Sequence, residues 1–161
     1  MSPSARIQLQ GHAQLEGGVE KSFHPVGHNA VFTFETDQKP TRGDTTHINL
    51  CSDNGDIIFH ISLRPKDNHI AFNARKKDAK WDLGEQGLIS FNDRIPQDEP
   101  VWFEVHDEGE RFIIKFKGGN PVPYPKRSEL SQDKISSVVY YPPQNGQSVL
   151  AGAVKATITL P

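Results

Sequence analysis

His60, Ser62, Arg64, Asn73, Arg75, Trp81 and Glu85 lie within one short span of this sequence, and together they form a recognition set. A neutral imidazole offers one donor and one acceptor, a carboxamide offers both, and a guanidinium presents a rigid fork of donors. An indole adds a flat apolar plate. Such groups can read a ring of hydroxyls from its edge and cover its apolar C–H face. The set lacks the parts that bond breaking needs, and the chain contains no GxSxG nucleophile elbow.

The residues that must position this set alternate. Ile57, Phe59, Ile61 and Leu63 share one parity, and Ile58, His60, Ser62 and Arg64 share the other; Ile70, Phe72 and Ala74 alternate with Ala71, Asn73 and Arg75. A period of two marks a half-buried strand, because successive side chains leave opposite faces of a sheet. The spacing predicts strands over 57–64 and 69–75, joined by the turn Pro65-Lys66-Asp67-Asn68. A third strand, 46–51, precedes them across Asp53-Asn54-Gly55-Asp56, where Asn-Gly is a strong hairpin signal. Three antiparallel strands then share one polar face, and His47 and Asn49 border it as peripheral candidates, with Gln86 a third beyond Trp81. The charged loop 76–80 delivers Trp81, which either folds onto the core edge or serves as a stacking plate. Trp102, between Val101 and Phe103, reads as packing or as a subunit contact.

The whole chain bounds the setting. Its 161 residues suit a single domain, 1–161, with a sizeable core. A net charge of −2 with mixed signs gives no electrostatic case for nucleic acid or an anionic membrane surface. No apolar run is long enough to span a bilayer, and MSPSARIQLQ has no signal-peptide core. The one cysteine, Cys51, excludes an internal disulfide framework and suits a reducing compartment. With 13 Gly and 12 Pro against 35% hydrophobic residues, short strands and turns are favoured over long helices. Further strands are expected at 5–9, near Gln14, and at 30–34, 87–91, 101–106, 111–116, 138–141 and 149–160. His24 to His28 reads as loop, 121–126 as extended chain and 128–134 as a turn or short helix. The total of about ten to twelve strands predicts an all-β, two-sheet antiparallel β-sandwich.

Other chemistries find little footing. There is no HExxH, no paired cysteine and no His/carboxylate set at ligand spacing, so neither a metal nor another cofactor is expected. Asp107, Glu108 and Glu110 surround Gly109 at a hairpin tip, where acids solubilise a turn; glycoside hydrolysis needs two carboxylates flanking one bond. Arg42-Gly43-Asp44 spells an integrin tripeptide, but so short a match carries no argument alone.

The string His60-x-Ser62-x-Arg64, then Asn73 with Arg75, then Trp81 and Glu85, resembles the carbohydrate-recognition motif of galectins. The forms HISLRP and FNAR are most similar to the fungal, mushroom-type branch, as are DEGERF at 107–112 and YPKR at 124–127. The resemblance implies a jelly-roll sandwich of the galectin and legume-lectin kind that binds β-galactoside glycans, lactose-type and substituted, without catalysis or metal. It implies that His60 and Arg64 bond the axial 4-hydroxyl, Ser62 lies on the same edge, Asn73 takes the 6-hydroxyl and Trp81 stacks on the ring. Glu85 would hold Arg64 or the next sugar. It further implies a homo-oligomer, and a cytoplasmic protein released without a signal peptide. Two departures stand out. Animal members usually carry Asn at the place of Ser62, and the family's Trp-Gly-x-Glu-x-Arg is here Trp81-Asp82-Leu83-Gly84-Glu85-Gln86. The acid comes one residue late and the expected arginine is missing, so a charge-assisted donor for the second sugar is lost. Two outcomes follow from that loss: a preference shifted toward extended or substituted glycans, or a sandwich that has lost sugar binding and serves protein interaction or structure.

Overall fold

A computed structural model of the chain describes residues 5–6, 12–81 and 86–161. Thirteen strands run through them. In chain order these are β1 (Ala5–Arg6), β2 (His12–Leu15), β3 (Glu20–Val26), β4 (Val31–Thr36), β5 (Thr46–Cys51), β6 (Ile57–Arg64) and β7 (His69–Arg75). They continue with β8 (Gln86–Ser90), β9 (Trp102–Asp107), β10 (Arg111–Phe116), β11 (Val122–Pro125), β12 (Ile135–Tyr141) and β13 (Val154–Thr159). One sheet has the order β1-β3-β12-β5-β6-β7-β8 and the other β11-β10-β9-β4-β13-β2. Apart from the parallel pair β1 and β3, the pairings are antiparallel. The fold is the expected all-β sandwich.

β5, β6 and β7, neighbours in the first sheet, begin and end where alternation placed them. Their inward residues Ile48, Leu50, Phe59, Ile61, Leu63, Ile70 and Phe72 are buried and join one core with Phe103, Phe112, Ile114 and Tyr124 of the other sheet. Phe59 is the hub, with ring centroids 5.7 Å from Phe72, 5.1 Å from Phe112 and 5.9 Å from Tyr124. Each such ring contributes roughly 1.5–3 kcal/mol by burial alone. This packing fixes the backbone from which His60 and Asn73 project on the opposite face. The β5–β6 turn needs Gly55, whose φ of 91° is a left-handed conformation that disfavours any side chain.

Two sequence expectations change in kind, besides the bounds of the last two strands, which are Ile135–Tyr141 and Val154–Thr159 where 138–141 and 149–160 were expected. Glu20–Val26 is a strand, although His24–His28 reads as loop. Lys21 hides it: the residue points inward at a core position and breaks the apolar alternation. Its ammonium meets Glu16 Oε1 at 3.0 Å, while the side chain stays buried. Pro25 is accommodated because the β3–β12 register shifts there, at a bulge where a ladder donor is dispensable. The second change is at 87–91, where the strand stops at Ser90 and Phe91 begins a four-residue helix. The Ser90 hydroxyl accepts from the Asp93 N–H at 3.3 Å and caps it.

The Arg42-Gly43-Asp44 tripeptide is a structural staple. Arg42 donates to Asn92 Oδ1 at 2.7 Å and to the Pro65 carbonyl at 3.0 Å. Asp44 pairs with Lys66 at 2.7 Å, and a side chain on buried Gly43 would strike the Gln147 carbonyl. Its groups are spent on the fold.

Candidate functional site

An open groove of about 440 Å³ lies across the outer face of the first sheet, lined by His47, Asn49, His60, Arg64, Asn73 and Trp81, among others. Strand pairing explains the convergence. Asn49 faces His60, which faces Asn73, so three neighbouring strands place one polar row side by side. Spaced about 4.8 Å apart, such a row reaches across one sugar ring.

His60 is the most constrained member. Its Nδ1 lies 2.6 Å from Asn49 Oδ1. A carbonyl oxygen only accepts, so Nδ1 carries the hydrogen and Nε2 remains an acceptor. Burial, reinforced by the neighbouring His47, Arg64 and Arg75, lowers the His60 pKa to about 3. The imidazole is therefore neutral throughout the physiological range, which keeps Nε2 available to a hydroxyl proton.

Arg64 Nε donates to Ser62 Oγ at 2.9 Å, and Ser62 is 0% exposed. The serine sits beneath the guanidinium and orients it, and it does not line the groove. Its shorter reach than Asn explains this placement, since Oγ meets the Arg64 stem before it reaches open space. Asn73 Oδ1 accepts from the Ala74 N–H at 2.9 Å and from Arg127 Nη2 at 2.7 Å. With the oxygen occupied twice, Asn73 meets a ligand through its N–H2 group.

Trp81 is 40% exposed. It is braced by the His60 ring, 4.6 Å between centroids, and by the Arg75 guanidinium, 4.4 Å from the ring centre. Arg75 also donates to the Ala79 carbonyl at 3.2 Å, stiffening the loop that carries the indole. The same loop is tethered upstream, where the Lys77 N–H donates to Asp56 Oδ1 at 2.7 Å. That bond holds the Asp56 carboxyl below its ordinary pKa. Arg75 is thus a brace for the plate.

Glu85 lies outside the described residues. Gln86 starts β8, one strand beyond β7, with its backbone paired to Phe72. His47 and Asn49 stand on the groove wall, the former with its ring 4.7 Å from His60. Trp102 is half-buried on the outer face of the other sheet, away from the groove. Three groove-related residues escaped sequence reasoning: Arg127, which steers Asn73, Tyr141, which lines the groove from β12, and Ile57, which alternation puts inward but the β6–β7 register shift turns onto the groove while Ile58 enters the core. Arg127 belongs to the YPKR string, a faint signal. Tyr141 had none, because its neighbourhood depends on β12 pairing with β5.

Fold and site together define a two-sheet β-sandwich with a polar groove across one outer face. The galactoside-binding lectin family matches residues 5–139, and the chain belongs to that family, the galectins. Galectin-2 of the mushroom Coprinopsis cinerea is 37% identical over 87 residues, covering 54% of this chain and 56% of that protein. Galectin-1 of the same fungus is 34% identical over 98 residues, covering 61% and 63%. The matched region spans less than two thirds of either relative. Chicken Galectin 2 shares the fold, with a TM-score of 0.62 at 17% identity over 91% of this chain and 99% of that one.

Proposed function

We propose that the groove binds β-galactosides and that the chain acts as a non-catalytic lectin. The observation that carries this reading is the neutral His60 acceptor held on the same strand face as the Arg64 donors, with Trp81 standing over the imidazole. A hydroxyl that donates to His60 Nε2 while accepting from Arg64 has both its roles fixed, so an epimer with that hydroxyl turned away forfeits both bonds. The axial 4-hydroxyl of galactose fills that place. Asn73 N–H2 then donates to the 6-hydroxyl, and the C–H face of the ring lies on Trp81.

The groove is pre-organised, which limits the ordering entropy lost on binding. It is also shallow, and a lone shallow site binds weakly. A homo-oligomer that presents several grooves would restore avidity, and sedimentation checks it: an 18.0 kDa species alone excludes it.

Calorimetric titration with lactose tests the central reading. Binding by the unmodified chain, lost beyond detection in Arg64→Ala with an unchanged melting temperature, is expected. Absence of heat with lactose and with every other galactose-terminated glycan rejects it. Cellobiose, the glucose counterpart, should fail to bind.

A further inference from the structure

Away from the groove, the β5–β6 turn, the β7–β8 connection and the turn 131–134 ahead of β12 meet at two carboxyl groups, Asp56 and Asp133. The Asp56 side chain is 5% exposed, and its Oδ1 accepts from the Lys77 N–H at 2.7 Å. Its Oδ2 and the Oδ2 of Asp133 are also buried, and no donor among the described residues bonds either one. A buried carboxylate oxygen left bare is costly. The two groups lie within reach of one another, but ionised carboxyls only accept, so neither can satisfy the other without a proton.

The surroundings do not offer a substitute. Lys76 Nζ stands 3.8 Å from Asp56 Oδ2, beyond a hydrogen bond, on a side chain that is 52% exposed. The Lys77 stem runs along Gly55. Asp53 and Lys134 share the cleft on one side of Asp133. On the other side stand His28 and the Asp107–Lys126 pair, where Lys126 is spent on Asp107 at 2.8 Å. Nor is Asp133 placed loosely. Its N–H donates to the Leu130 carbonyl at 3.1 Å, and Leu130 and Ile135 on either side of it are fully buried.

We propose that Asp56 and Asp133 share one proton and act as an acid-closed clasp on the loop that delivers Trp81. Protonated Asp133 donates to Asp56, which keeps the Lys77 N–H on its other oxygen, so one carboxylate joins three segments. When both groups ionise, two like charges face each other in a site with little water, and the clasp slackens. Burial first, then the hydrogen bond and charge of Asp56, raise the Asp133 pKa above its ordinary 3.8, against a lowering pull from Lys76. The stability that this proton supplies is therefore complete below pH 3.8 and is lost as pH rises through the folded-state value. That sign is the reverse of the one expected for a salt-bridged aspartate.

Carboxyl NMR titration of the unmodified chain gives the first test. The pair should titrate in two steps, the upper one above 3.8. The second test is hydrogen exchange at the Lys77 amide in the unmodified chain, Asp133→Asn and Asp133→Ala. The Asn side chain supplies a donor at every pH, so at pH 7 this amide should exchange several-fold more slowly in Asp133→Asn than in the unmodified chain. The ratio should close toward one as pH falls through the upper step. Asp133→Ala removes the repulsion but brings no donor, and should protect the amide less than Asp133→Asn does. An upper step at or below 3.8, or equal exchange in the two variants, overturns the clasp. The titration needs no variant, so a substitution that fails to fold leaves the proposal open to refutation.

Discussion

The two sheets both turn polar faces outward, and they use them in opposite ways. On the second sheet the charged residues of neighbouring strands pair loosely and stay wet: Lys155 with Glu35 at 3.4 Å, Lys115 with Glu104 at 3.9 Å. On the first, the outward polar residues Asn49, His60, Ser62 and Asn73 are buried and locked to partners at 2.6–2.9 Å. Burying polar groups is costly unless every one is bonded. A face built that way is a site, whereas a face of exposed ion pairs is a solvated surface. Alternation describes both equally well; burial separates them.

Acidification should break the contrast most strongly. His60 has a folded-state pKa of about 3 against an ordinary 6.5. The unfolded chain therefore takes up a proton that the folded chain refuses as pH falls through that window. The stability from this residue is complete above pH 6.5 and declines steadily toward pH 3, reaching a loss of the order of 3 kcal/mol by pH 4. Urea midpoints at pH 7 and pH 4.5 for the unmodified chain and His60→Gln check it, and equal slopes in the two proteins would remove His60 as the cause. The exposed faces of the second sheet predict no comparable slope.

Trp81→Ala should weaken lactose binding by about tenfold at unchanged fold, the upper end of a single aromatic contact. An affinity within twofold of the original would show that the indole only covers the core edge. Arg127→Ala sharpens the comparison from behind the site. It frees Asn73 Oδ1 to turn toward the ligand, and a several-fold loss of lactose affinity is expected, of the order of 1 kcal/mol for one charge-assisted bond. If affinity holds, Asn73 is oriented by the Ala74 N–H alone. Smallest is the change on the other sheet: Lys155→Ala should shift stability by under about 0.5 kcal/mol and leave binding untouched. A larger shift in the thermal midpoint would mean that the wet face is also a network.

The parts that were legible in the sequence share a physical cause. β5, β6 and β7 could be bounded because both faces report: apolar residues inward, polar outward, with turn residues at each end. β3 could not, since Lys21 turns its stem inward and gives its charge to Glu16, and a one-letter pattern records only the charge. The groove residues His60, Arg64, Asn73 and Trp81 were readable as a set because neighbouring strands in sequence are neighbours in space. Arg127 is separated from Asn73 by 54 residues and reaches it through a different part of the fold. Tyr141 depends on β12 inserting between β3 and β5, a topological fact with no local trace.

The Asp56 bond to the Lys77 amide lies upstream of Trp81 in the β7–β8 connection. It ties the start of that connection to the β5–β6 turn, so Trp81 inherits its place from a hairpin that comes earlier in the chain. A change at that hairpin can therefore shift the indole without altering any side chain of the groove.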